Sequence, residues 1–494
     1  MESDQDSSLR STLGSSSDAS WDSDSEWRLS LPPSRDHLLP VEILSEIFLL
    51  ALENDEERPG SEPEHLMLVC RRWRAIMLLT PGICCGLDIS DSITMEVVEE
   101  SIRGRKWLLD VDITMDSGTV GNFFNADYFY ACFMAAAEVA PRWRSLRILR
   151  FPLPKEHKAV QIVQPLERLE SFSLPLTHSL GNSFEPLLTA IATTSTTYLT
   201  EMVLGDPDVI LHFAQPACLH VFHSLETLKI WQSKRPRMEA PVDILPHLQR
   251  LKYLRTHHLH FPIYSPDASL PLVQTLQTLD LTSVSIQWMA GRDFPALKTC
   301  IIKFPHHADT IALQPVTMPS CTYLEYDSND LRPLVCFRHL PLAFFHVRCR
   351  QWSVWRGNPQ LVALCPMFTT QSMTFLRLHI QCSEWLLVEM LKLVPALTTL
   401  KLELASPRVL SEAFFLAFVA TESNAVSPRE IVGLPGQTRP RLCPLLQKLH
   451  LRFERWLRGP EKSVLIPVLS DVVSSYQPEN PLQHHIAFTA GYRT

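Results

Sequence analysis

The chain has 494 residues, 46% of them hydrophobic and 20% charged, enough to bury a sizeable core and to form more than one domain. A formal net charge of -8 argues against wholesale electrostatic attraction to nucleic acid or to an anionic membrane. The 12 cysteines are scattered without a Cys-x-x-Cys pair, which predicts reduced, mostly buried thiols in a cytoplasmic or nuclear protein.

Residues 1–34 form an acidic, serine-rich start. Its first 30 residues hold eleven serines, seven acidic and two basic residues, with Trp21 and Trp27 as the sole aromatics. So little apolar surface cannot offset the entropy of ordering, so a disordered tail is expected. The serines between Ser20 and Glu26 sit among acids, where an acid-directed kinase would add further negative charge. There is no basic start followed by an apolar run, so no secretory signal is expected. The longest apolar stretch, Tyr128 to Ala137, is about half of the roughly 20 residues a membrane span needs.

Apolar residues begin abruptly at His37 and run to Leu52. Pro40 suits a first helical turn and Glu42 the positive end of the helix dipole. Ile43, Ile47 and Ala51 fall on one stripe of the predicted helix and Leu44 and Phe48 on the next, with Leu49, Leu50 and Leu52 extending the apolar surface nearly all round. A polar linker from Glu53 to Glu64 ends it. A second helical period runs from His65 to Met77, with Leu66, Val69 and Trp73 on one face and Arg71, Arg72 and Arg74 opposite. So small a module shows more large apolar side chains than it can bury, so Ile43, Leu44, Ile47 and Phe48 are expected to need a partner's cover.

At these residues the chain resembles the F-box. The family pattern is matched by Leu39-Pro40, by Ile43-Leu44 with Ile47-Phe48, and by Val69-Cys70-Arg71-Arg72-Trp73-Arg74. It departs in the longer acidic linker and in the segment from Pro81 to Cys84, which lacks the tryptophan of the family's last element. The resemblance implies a three-helix module over 35–90 that docks on the Skp adaptor of cullin-based ubiquitin ligases. It implies Leu39, Pro40, Ile43, Leu44, Ile47, Phe48, Val69, Cys70 and Trp73 as the adaptor-binding positions. Several of them, Trp73 and Val69 above all, also suit packing inside the module.

From Trp143 onward one pattern recurs twelve times: an apolar residue, two others, an apolar residue, one other, an apolar residue. It runs from Trp143-x-x-Leu146-x-Ile148 through Leu248-x-x-Leu251-x-Tyr253 to Leu446-x-x-Leu449-x-Leu451. Successive starts lie 21 to 31 residues apart, except for the step of 49 from Leu397 to Leu446, which contains an insertion at 425–440. That period is mostly around the 20–29 residues of a leucine-rich repeat and resembles it; in such a repeat the last two anchors of each unit alternate inward along a short strand. The expected fold is therefore α/β: the helical module, then an irregular leucine-rich-repeat solenoid over 91–494, curved, with a parallel sheet on its concave side. Helical runs are expected at 183–196, 384–394 and 411–423, and a strand and helix within 84–142.

No phosphate-cradling loop, dinucleotide fingerprint, nucleophile elbow or zinc-protease motif occurs, so the chain is not expected to be an enzyme or to hold a cofactor. His257-His258-Leu-His260 and His306-His307 lack cysteine or carboxylate at ligand spacing, and Cys84-Cys85 lacks a neighbouring base, so no metal site is expected. Residues between and just after the inward anchors should face the concave surface. They are mixed in the middle of the array, where Lys252, Asp280, Glu325 and Asp327 fall, and basic toward its end at His346, Arg348, Arg377, His379, Lys401, His450 and Arg452. The expected function is a substrate-recognition subunit of an SCF-type ubiquitin ligase, bound to the Skp adaptor and cullin scaffold, holding an acidic or phosphorylated protein substrate on that stripe, with no nucleic acid or membrane partner. The alternative is a repeat-protein interaction scaffold attached to no ligase.

Overall fold

The fold was analysed in a computed structural model that describes residues 39–53, 66, 69–80, 86–90, 93–104, 108–114, 126–149, 162, 164–175, 185–194, 198–205, 207–231, 241–305, 314–328, 330–338, 340–349, 372–379, 384–404, 414 and 442–453. The acidic tail, the linker past Glu53, the insertion at 425–440, His306-His307 and Cys84-Cys85 lie outside them. The chain divides into two compact units, Met1–Cys84 and Cys85–Thr494.

In the first unit, helix α1 (Val41–Glu53) packs against helix α2 (Arg71–Leu79). The helical period predicted from His65 is broken at Val69 and Cys70: Leu66 is helical, and α2 begins afresh at Arg71. Cys70 is fully extended (φ -161°, ψ 163°) and caps the helix, its Sγ accepting from the Trp73 N–H at 3.4 Å, which puts Val69 in the turn before it. The pair is tied by Arg72 Nη2 donating to the Leu39 carbonyl at 2.6 Å and by Ser45 Oγ and Thr80 Oγ1, 2.8 Å apart.

The second unit is built on one 14-stranded parallel sheet. Its strands are β1 (Gly86–Ile89), β2 (Leu109–Ile113), β3 (Trp143–Ile148), β4 (Ser171–Leu174), β5 (Glu201–Leu204), β6 (Thr227–Ile230), β7 (Tyr253–His257), β8 (Thr278–Thr282) and β9 (Thr299–Lys303). A two-residue strand β10 (Val316–Thr317) then leaves the sheet to pair with β12 (Phe337–Arg338), while β11 (Tyr323–Asp327), β13 (Phe344–Arg348), β14 (Phe375–His379), β15 (Thr399–Leu404) and β16 (Lys448–Phe453) complete the large one. Each strand of the large sheet pairs only with the sheet strands that precede and follow it in the chain, the quasi-one-dimensional order of a solenoid. Two strands and two helices, Met95–Gly104 and Ala126–Ala137, are described within 86–137, one strand and one helix more than expected there, and the sheet starts at Gly86, two strands before the first repeat at Trp143.

The register explains the repeat. Leu279 lies level with Cys300 and Leu281 with Ile302, and Leu324 and Tyr326 continue both rows on β11. All six are fully buried, in one core shared with Phe129 and Phe133 of the helix before β3 and Leu187 and Ile191 of helix Glu185–Thr194. Eleven of the twelve apolar triplets occupy these rows. The exception is β7, where Leu254 and Thr256 lie level with Leu228 and Ile230, so the inward frame is Leu251, Leu254 and Thr256 and Tyr253 faces the other way.

Leaving the sheet needs a sharp corner. His258, Ser283 and Phe304, each directly after a strand, take left-handed φ values of 55°, 54° and 48°. Their N–H groups donate to Thr282, Lys303 and Asp327 at 2.8, 2.7 and 2.6 Å, so the next strand's carbonyl holds a conformation that costs a residue with a Cβ. The described cysteines all carry free thiols, six of the eight buried. No described helix is long and apolar enough to cross a membrane.

The Thr256 hydroxyl is buried at an apolar anchor position with no hydrogen-bond partner. Thr256→Val removes that desolvated group at nearly constant volume, and it should stabilise the array by about 1–2 kcal/mol. A higher urea midpoint followed by tryptophan fluorescence is the expected outcome, and a lower one would contradict this reading of the β7 frame.

Candidate functional site

Helix α1 divides its apolar residues between two stripes. Leu44 and Phe48 are 2% and 1% exposed and form a small core with Ile76 and Met77, against which Leu49, Leu66 and Trp73 pack. The Phe48 and Trp73 rings meet with centroids 4.8 Å apart. Ile43 and Ile47, one residue earlier at each step, are 47% and 44% exposed, and Leu50 continues their stripe at 53%. Leu39, Val41 and Val69 are exposed as well, and Pro40 with them.

The motif residues thus do two jobs. Leu44 and Phe48 are sealed within the helix pair, which corrects the expectation that a partner must cover them. Trp73 packs as its alternative reading anticipates, whereas Val69, expected to pack beside it, stands in the open at 57%. Cys70 is half-buried as the helix cap. Ile43 and Ile47 thus remain in water in the described helix pair, each isoleucine being worth about 1.5–3 kcal/mol on full burial.

On the second unit the open face of the sheet carries three columns of side chains, one row per strand. The central column holds Arg255, Asp280, Ile301, Glu325, His346, Arg377 and Lys401, in register by strand pairing. Lys252 precedes β7 and is not among them, being exposed and paired with Glu226 at 2.7 Å; Arg255 and His257 take the places the misread frame hid. The Arg255 guanidinium lies 4.1 Å from the Trp231 ring centre, and its Nε is 3.0 Å from Asp280 Oδ2. Burial, and then Arg255 beside it, hold the His257 imidazole below its ordinary range.

The expected basic stripe is interleaved with acids. Arg377 donates to Glu403 through Nε at 2.9 Å and through Nη2, and His379 Nδ1 lies 3.4 Å from the same carboxylate. Arg348 is 3.9 Å from Asp327, and Lys303 is 3.2 Å from Glu325. His346 sits 3.7 Å from Glu325, but burial and the neighbouring Arg377 lower its imidazole to about 4 against the pull of Glu325 and Glu403. His346 is therefore uncharged at neutral pH and adds no positive charge to the face. On the last two strands Lys401 lies level with His450 and Lys448 with Thr399.

Beside the charges runs a ladder of rings. Tyr323, Phe344 and Phe375 lie level on β11, β13 and β14 and stack at 4.2 Å centroid distances, with interplanar angles of 6° and 11°. Lys401 Nζ stands 5.3 Å from the centre of the last ring. These positions lie one residue before the middle anchor of each repeat, a column the sequence reading left out. Among the described residues no group of three or more His, Cys, Asp or Glu side chains is placed to hold a metal ion.

No protein-family model matches the chain, and no curated protein matches it. What the geometry defines is an α/β protein with a solenoid-like parallel sheet and two exposed surfaces of different chemistry, an apolar helix stripe and a sheet face of rings and paired charges.

Two consequences can be measured. Phe48→Ala should destabilise the helix pair by about 3–5 kcal/mol and Ile47→Asp by less than about 0.5 kcal/mol, read as amide hydrogen exchange over 41–79 in the intact chain. His346 is held neutral in the folded state while the unfolded chain takes up a proton near pH 6.5, so its contribution is present above that pH and is lost as pH falls toward about 4. His346→Gln should therefore decline less steeply in urea midpoint than wild type between pH 6.5 and 4; equal slopes would contradict the neutral imidazole.

Proposed function

We propose that the chain is the substrate-recognition subunit of an SCF-type E3 ubiquitin ligase. In this reading an F-box docks on the Skp adaptor, and a curved leucine-rich-repeat array, with the sheet on its concave side, holds a protein substrate. The observation that carries it is the exposed stripe of Ile43 and Ile47, with Leu39 and Val69, on a helix pair that already seals Leu44 and Phe48 for itself. The rival reading, an interaction scaffold attached to no ligase, leaves that stripe without a purpose.

The chain itself performs no chemistry and needs no cofactor. It contributes by holding substrate lysines near a ubiquitin carrier on the cullin scaffold, which raises their effective concentration. It acts in the cytoplasm or nucleus, without nucleic acid or membrane as partner. An acidic or phosphorylated substrate segment meets the end of the expected stripe, at Lys401, His450 and Arg452, joined by Lys448, because His346, Arg348, Arg377 and His379 are neutral or faced by carboxylates.

Capture of the full chain by immobilised, purified Skp adaptor tests the reading. Wild type should bind, and Ile43→Asp with Ile47→Asp should lose binding at least about tenfold, since two apolar contacts are replaced by desolvated charges. Equal capture of both proteins would contradict it.

A further inference from the structure

The ring ladder stops abruptly. Tyr323 lies level with Thr299 on β9, Thr299 with Thr278 on β8, and Thr278 with Tyr253 on β7. Two small side chains therefore separate Tyr253 from Tyr323 across three strand spacings, about 14 Å at about 4.8 Å each. Phe344 covers one face of the Tyr323 ring, and the other looks across the threonines. The Tyr323 hydroxyl is fixed by donation to Glu325 at 3.2 Å, so the ring is held in the plane of the ladder. Three rings stacked at the same spacing leave a place for a fourth over Thr299.

The other end of the ladder meets the cations. Lys401 stands against the outer face of Phe375, and Lys448, the position of Arg452 and the half-buried His450 follow on β16. From Thr299 to Lys401 is four strand spacings, about 19 Å, a distance about six extended residues span.

We infer that this face docks an extended segment of a protein substrate carrying an aromatic side chain about six residues from a run of carboxylates or phosphates, the ring completing the ladder over Thr299 and the anions reaching Lys401 and Lys448. The inference rests on the reading of the array as a substrate receptor and narrows its substrate class. Charge complementarity favours a peptide over a nucleic acid as the occupant. Glu325, Asp327 and Glu403 interrupt the cations and would repel a continuous phosphate backbone, whereas a segment with one ring and one anionic run meets them only in part.

Purified full-length chain and a fluorescein-labelled peptide with one tryptophan and, about six residues on, a run of glutamates test this by fluorescence anisotropy. Wild type should bind, and replacing the peptide's tryptophan by alanine should weaken binding about tenfold. Thr299→Trp, which fills the fourth place from the open face, should weaken it as much, with an unchanged melting temperature. Lys401→Glu with Lys448→Glu should weaken it about tenfold or more and flatten its dependence on salt. No binding by wild type, or equal binding by Thr299→Trp, overturns the proposal. So does tighter binding of an oligouridine than of the peptide, or a wild-type dimer that Thr299→Trp dissociates, since the face would then belong to RNA or to a second copy. None of these readouts involves the adaptor, so loss of peptide binding with intact adaptor capture removes this inference alone.

Discussion

Neighbouring strands can share one core only if each inward pair lies level with the next, and the register of the sheet meets that condition at every step from β1 to β16. Each repeat is too small to bury its own anchors. Level rows such as Leu279, Cys300 and Leu324 let each unit cover its neighbour, and the core grows by addition along the chain. The same condition frees the opposite face: residues that alternate with the anchors have no structural duty toward the core, so their chemistry can vary from strand to strand.

That freedom is used unevenly. At β6 and β7 the face carries an arginine stacked on a tryptophan and paired to a buried aspartate. At β8 and β9 the outer column shrinks to threonine, and from β11 to β14 it becomes a stack of rings flanked by ion pairs. Partly buried pairs of this kind contribute little net stability, because desolvation offsets most of their attraction. They do fix the orientation of long side chains and keep the face from being a uniformly basic surface.

The fold was largely legible because its periodicity is simple and repeated. It failed at β7, where Leu248, Leu251 and Leu254 follow at three-residue steps and support two frames; a threonine at the third anchor made the wrong frame look more apolar. The break before α2 was missed because apolar spacing does not register a cap, and Cys70 interrupts a period that otherwise runs on. The site was less legible. Ile43 and Leu44 are equally apolar neighbours, and which stripe turns inward is settled by the position of Ile76 and Met77, not by anything local to the helix. The basic stripe was read as a list of cations, whereas Glu403 reaches across to His379 and diagonally to Arg377, contacts that depend on side-chain reach between strands.

The helix pair and the array rest on different physics, since the array supplies its own core by repetition and the helix pair holds apolar surface in reserve. The most direct measurement of that difference is hydrogen–deuterium exchange of the full chain with and without purified Skp adaptor. Slowed exchange over 41–53 and 69–79 with unchanged sheet strands is the predicted result. Unchanged exchange in both helices at saturating adaptor would contradict the assignment of the exposed stripe as its docking surface.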